Sequence, residues 1–201
     1  MSGATSAAAP HDIAGPSPWV MRFAPLIASG GAVLDIACGR GRHARWLESL
    51  GYRVTGIDSD EAALAVSGAS ERIVCDLEGS ADPREAWPLH GRRYAGVIVT
   101  NYLHRPLFPL LIEALAAGGV LLYETFATGN ARYGKPSNPA FLLEGGELIE
   151  HCHGLNIVAY EDGLVALPRP ASIQRICAIR EDLGSNAEAG AGGSAHTRHA
   201  L

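Results

Sequence analysis

Three aspartates sit inside or at the ends of successive apolar runs: Asp35 within Val33–Ala37, Asp58 at the end of Tyr52–Asp58, and Asp76 just after Arg72–Cys75. A carboxylate inside an apolar strand is costly unless something pairs with it. For Asp35 that partner is a cationic ligand such as a sulfonium or ammonium, or nearby backbone N–H groups, and the two are compatible. The turn that follows, Ala37-Cys38-Gly39-Arg40-Gly41, carries two glycines that allow close approach of backbone to a ligand and positive φ. With a strand before it and a helical pattern after it, the turn aims N–H groups at a polar or anionic ligand. Asp58, with Ser59 beside it, can accept both hydroxyls of a ribose; capping the next helix is the alternative. Asp76 can accept an adenine amino group while Leu77 packs on the ring, or it is a surface turn residue.

Placing these groups together requires strand–helix alternation. Ser17-Pro18 opens a first helix, with Ser17 as N-cap and Pro18 at the first helical position. Trp19, Val20, Phe23, Leu26 and Ile27 follow at helical spacing up to Gly30-Gly31. Trp19 and Phe23 are candidates to cover a ligand or to meet another chain. Strands are expected at 32–37, 52–58, 72–75, 94–100 and 120–126, and helices at 42–50, 61–67 and 106–116, with one helical turn near 84–87. A long loop, 127–139, precedes a helix to Cys152 that Gly145-Gly146 interrupts. Two strand-like segments, 155–161 and 172–180, have no helix between them and read as an antiparallel edge pair. Alternation of this kind gives an α/β fold whose ligands lie at the carboxyl ends of the strands. Residues 1–16 and 184–201 are rich in Ala, Gly and Ser and read as disordered arms around a domain over 17–183.

At 201 residues, 47% hydrophobic and 18% charged, the chain has the composition of one globular domain. The net charge of -5 supplies no general basic surface for nucleic acid, although arginines at 40, 42, 45, 92, 93 and 105 form a candidate docking face. No apolar run reaches the length of a membrane span, and the N-terminus lacks a signal-peptide pattern. Cys38, Cys75, Cys152 and Cys177 form no CxxC pair and fit reduced thiols in a cytoplasmic protein. No metal is expected: in His151-Cys152-His153 the histidines are two apart and do not share a helix face.

VLDIACGRGRHARWL resembles the first motif of class I S-adenosylmethionine-dependent methyltransferases, and GYRVTGIDSD, CDLEG, YAGVIVTNYLHRPL and LAAGGVLLYETF resemble the four that follow. The likeness spans roughly residues 17–181 and is greatest to small single-domain tellurite-resistance and quinone-biosynthesis types. It implies a Rossmann-like, doubly wound, seven-stranded sheet, mostly parallel with an antiparallel C-terminal strand. It implies S-adenosyl-L-methionine as cofactor, held by Asp35, Ala37, Gly39, Gly41, Asp58, Ser59, Asp76, Leu77 and Asn101. Ala37 replaces the first motif glycine, so the methionine part of the cofactor must clear an extra methyl.

By the same resemblance, Asn101, Tyr102 and His104 face the transferred methyl. Asn101 would hold the cofactor or a substrate amine, and Tyr102 would form a wall. His104 is a candidate base, or else caps the helix at Pro106. Tyr102, Arg105, Glu124, Arg132 and Tyr133 are the candidate acceptor contacts; Glu124 paired with Arg105 or Arg132 is the structural alternative. A small-molecule acceptor is expected, with RNA or protein, or a non-catalytic binding module, as the alternatives. A rival cofactor fits the same turn, because Gly39–Ala44 also satisfies the G-x-G-x-x-A pattern of NAD enzymes. Against it stands Asp35, since a pyrophosphate has no use for a nearby acid.

Overall fold

The computed structural model describes residues 15–181. The arms expected over 1–16 and 184–201 lie outside the described residues, Gly15 and Pro16 excepted. A seven-stranded sheet carries the fold, in the order β3-β2-β1-β4-β5-β7-β6. Its strands are β1 (Ala32–Ile36), β2 (Arg53–Asp58), β3 (Glu71–Val74), β4 (Tyr94–Thr100), β5 (Leu115–Phe126), β6 (Asn156–Val165) and β7 (Ala171–Ile179). Strands β1 to β5 run parallel, and β7 lies antiparallel between β5 and β6. This is the mixed sheet and the antiparallel edge pair that the alternation implied.

Helices cover both faces, which is why β4 is apolar throughout rather than alternating. Val97 and Val99 enter one core with Phe108, Leu111 and Leu148, while Ile98 enters the other with Trp19, Phe23 and Leu47. The second core lies under α1 (Pro18–Phe23) and α2 (Arg42–Ser49). Trp19 is buried there and its indole N–H donates to Ile176 O, so Trp19 and Phe23 are core residues and neither a ligand cover nor a contact for another chain.

Two expected elements are corrected. The helix expected over 106–116 is a 3-10 turn at Arg105–Leu107 followed by α5 (Phe108–Glu113), and β5 begins at Leu115. Helix-favouring alanines at 116 and 117 are drawn into the sheet by tertiary pairing: Tyr94 N donates to Ala114 O and Gly118 N to Arg180 O. The helix expected over 139–152 is a 3-10 turn at Pro139–Phe141 and then α6 (Glu147–His151), divided at Gly146 with φ +79°. The remaining helices, α3 (Glu61–Ala65) and α4 (Pro83–Ala86), are short. Strand β6 also runs past Glu161 to Val165, because it pairs with β7 in a hairpin whose polar residues stay in solvent.

Candidate active site

The β1–α2 turn runs from Ala37 to Gly41 through three residues of left-handed backbone. Ala37, Gly39 and Gly41 all have positive φ, of 50°, 52° and 74°. Alanine in this region is strained by about 1 kcal/mol, a cost that clusters at functional sites. The two glycines serve different ends. A Cβ on Gly41 would stand 2.0 Å from Ser67 O, so packing demands glycine; one on Gly39 would meet nothing within 4 Å, so its bare face borders open space.

Asp58 is fixed across this turn. Its Oδ2 accepts from Gly39 N at 2.7 Å and its Oδ1 from Asp60 N at 2.9 Å, leaving further lone pairs on both oxygens. The cap of α3 is Asp60, whose Oδ1 accepts from Ala63 N, which frees Asp58 and Ser59 from that task. Asp76 accepts from Glu78 N at 3.0 Å, and Leu77 beside it is buried. Asp35 is 1% exposed and its Oδ2 has no hydrogen-bond partner. Burial pushes its pKa up to about 7, against the pull of Arg42. An unpartnered oxygen on a buried carboxylate is uncommon in a folded chain, and here Arg42 reaches it by charge rather than by a hydrogen bond.

Across β4 to β6 the polar groups form a row. Thr100, Glu124, Arg175 and Glu161 are neighbours in strand register, all on the α1–α2 face by strand alternation. Arg42 Nη2 donates to Thr100 Oγ1 at 3.2 Å, and Arg175 binds both Glu124 and Glu161 while lying 4.8 Å over the Trp19 ring. Ser17 Oγ donates to Glu124 at 2.7 Å and also caps α1. His43 Nε2 accepts from Ser17 N at 3.1 Å, and burial drives the His43 pKa down to about 3. The start of α1 is thus latched to both the turn helix and β5. Of these groups, Ser17 was visible from sequence as a cap alone; Arg175 needed the β5–β7 register to be seen as the partner of Glu124.

Two cavities meet at Asn101 and Phe126, which line both. The larger, of about 420 Å³, is walled by Glu78, Tyr102 and Leu103 and by residues 135–138 and Phe141. The smaller, of about 110 Å³, lies between Ser17, Arg42 and Glu124 and the 165–173 end of the β6–β7 hairpin. Asn101, with φ 56°, is the second strained non-glycine residue, held by its N–H to Glu124 O.

The remaining candidate contacts fare differently. Tyr102 and Glu124 line these cavities, whereas His104, Arg105, Arg132 and Tyr133 line neither. Arg105 is occupied by structure: it binds Glu147 through Nε and Nη2 and the carbonyls of Ala140 and Leu142 through Nη1 and Nη2. His104 makes no side-chain cap; its Nδ1 lies 4.0 Å from Glu78. Glu124 pairs with Arg175 rather than with Arg105 or Arg132, because β7 lies alongside β5 and neither of those loops does. Tyr102 has its pKa raised, by burial first and by Glu78 second.

The arginines proposed as a docking face are dispersed. Arg92 pairs with Glu71 near the β3 edge, Arg45 donates to Arg40 O and Val66 O, and Arg42 turns inward to Thr100. Among the described residues no group of three potential metal ligands exists, and no helix is long and apolar enough to cross a membrane. His151 instead pairs with Glu147 and stacks on Phe108.

The sequence matches a family model described as "Methyltransferase domain" over residues 9–164. No curated relative matches it. Among solved structures, TehB from Haemophilus influenzae is similar with a TM-score of 0.69 at 19% identity, over 85% of this chain and 64% of that one. This chain therefore spans less than two thirds of that structure's length. Magnesium protoporphyrin IX methyltransferase from Synechocystis, with bound SAH, gives 0.59 at 17% identity, over 81% and 78%. The glycopeptide N-methyltransferase MtfA, complexed with (S)-adenosyl-L-homocysteine, gives 0.57 at 17%, over 84% and 91%. At such identities the likeness is one of fold.

Proposed function

The chain belongs to the methyltransferase-domain family, and on that premise we propose that it transfers a methyl group from S-adenosyl-L-methionine to a small-molecule acceptor. One observation carries the cofactor assignment: Asp58, fixed by the Gly39 N–H of the glycine turn, keeps lone pairs for a ribose, while Asp35 on the strand that leads into that turn keeps an unpartnered oxygen. The chain's residues fit the cofactor. Asp58, with Ser59 beside it, takes the ribose hydroxyls. Asp76 and Leu77 take the adenine, the Ala37–Gly41 backbone and Asn101 take the amino-acid end, and Asp35 answers the cationic charge. Bound there, S-adenosylmethionine supplies a methyl on a sulfonium, a group that already contains its leaving group. An NAD pyrophosphate would instead set two more negative charges near Asp35.

The protein's share of an in-line displacement is alignment and exclusion of water, worth about 7–11 kcal/mol when geometry is near-attack. Strained Asn101, at the junction of both cavities, orients the reactants, and Tyr102 walls the larger one. A protein base is needed only for an acceptor that arrives protonated. His104 is set aside for that task because it lines neither cavity, and the raised pKa of Tyr102 unsuits it; Glu124 is the cavity-lining carboxylate that remains on the strand row.

A small acceptor is favoured over RNA or protein by the size of the 420 Å³ cavity, which falls within the range of small-molecule pockets, and by arginines that are engaged in pairs and carbonyl contacts rather than presented together. The cysteines, all free, fit a reducing, cytoplasmic setting. The test is transfer of labelled methyl from S-adenosylmethionine into cell extract, with small-molecule, RNA and protein fractions counted separately. Label in the small-molecule fraction is expected. Label confined to RNA or protein would overturn the acceptor class, and cofactor binding with no labelled acceptor would favour a binding module.

A further inference from the structure

We propose that the smaller cavity, under the β6–β7 hairpin, receives the carboxylate-bearing end of a compact apolar or aromatic acceptor, gripped by Arg42 and Arg169. This deepens the methyltransferase reading and rests on it. Of the charged groups lining this cavity, Glu124 and Arg175 are spent on each other, with Ser17 and Glu161 completing their bonds. Arg42 and Arg169 are not. Among the described residues Arg42 makes one side-chain hydrogen bond, to Thr100 Oγ1, and Arg169 makes none, although each guanidinium carries five N–H donors.

Half-buried Arg42, from α2, and solvent-exposed Arg169, from the end of the hairpin, line the same cavity, so their unspent donors face one space. Guanidinium forks match a carboxylate bidentately. The rest of the lining is largely apolar, with Phe126, Leu167, Pro168 and Ile173. A volume of about 110 Å³ is of the order of a cavity that holds one aromatic ring. A dianion is disfavoured, because Glu124 lines the same cavity and repels a second negative charge.

The experiment is calorimetry on the full chain saturated with S-adenosylhomocysteine. The probes are benzoate, benzamide, benzylamine and phenyl phosphate. Benzoate is expected to bind at least about tenfold more tightly than the other three, the scale of one charge-assisted hydrogen-bond pair. Arg169→Gln is expected to remove that preference while leaving S-adenosylhomocysteine affinity within about twofold of the wild type. The proposal is overturned if benzamide, benzylamine or phenyl phosphate equals benzoate, if benzoate fails to bind the loaded protein, or if Arg169→Gln leaves benzoate unchanged. It is also overturned if Arg42→Gln weakens S-adenosylhomocysteine alone, since Arg42 would then serve the cofactor. Failure of S-adenosylhomocysteine to bind is a different result, and sinks the methyltransferase reading itself.

Discussion

At the carboxyl ends of β2 and β3 the aspartates are held by backbone N–H groups, whereas the polar row across β4 to β7 is held by side chains from distant parts of the chain. Asp58 is pinned by the N–H groups of Gly39 and Asp60, and Asp76 by that of Glu78. Glu124 is pinned by Ser17, 107 positions away in sequence, and by Arg175, 51 away. A half made of turn geometry suits an invariant ligand, because its donors cannot be retuned without changing the chain path. A half made of ion pairs and a hairpin tip suits an acceptor that differs between relatives of one fold.

The sharpest way to break this division is Asp58→Ala. With Asp58 in its proposed ribose role, the change removes two charge-assisted bonds as well as the anchor of Gly39, so S-adenosylhomocysteine affinity should fall at least about 100-fold by calorimetry. The β6–β7 hairpin should keep its amide-exchange protection, since no contact links it to Asp58; loss of protection in both halves would refute the division.

The acceptor half has its own anchor in Arg105, which ties Ala140 and Leu142 to Glu147 beside the larger cavity. Arg105→Lys loses the planar fork and should speed amide exchange over 140–142 by about tenfold, a cost of about 1.4 kcal/mol. The turn over 37–41 should exchange as before. Equal acceleration at both places would mean that the two halves open as one unit.

Legibility followed the same divide. The turn, the strand-end acids and the Ser17-Pro18 helix start were readable because each is a local pattern in sequence. The row Thr100–Glu124–Arg175–Glu161 was not, because it exists only once β5, β7 and β6 are in register. Arg105 and Arg132 were natural guesses for Glu124 by proximity along the chain. The true partner is set by which strand lies alongside. Likewise Ala116-Ala117 favours helix locally, and only pairing at Tyr94 and Arg180 makes it strand.

A smaller effect concerns pH. Asp35, with its pKa raised from 3.8 to about 7, binds a proton longer in the folded state, so its share of stability falls as pH rises through that window. His43, lowered from 6.5 to about 3, acts in the opposite sense, losing stability as pH falls through its window. The two slopes, each up to about 1.4 kcal/mol per pH unit, offset each other between about pH 4 and 6.5 in the cofactor-free protein. Asp35→Asn should therefore uncover a melting temperature that rises relative to wild type across that range, and His43→Gln one that falls. Parallel pH curves for all three proteins would show that neither buried group titrates as described. Least of all should His104→Gln matter, with kcat within about twofold of wild type; a loss of about 100-fold would restore His104 as the base.

The central claim, that the glycine-turn half is a site for an adenosyl ligand with a cationic centre, is tested most directly by titrating the full chain with S-adenosylmethionine and, separately, with NAD in a calorimeter. Saturable one-to-one binding of S-adenosylmethionine and no detectable heat with NAD are expected. Saturable binding of NAD, or no binding of S-adenosylmethionine, would contradict it.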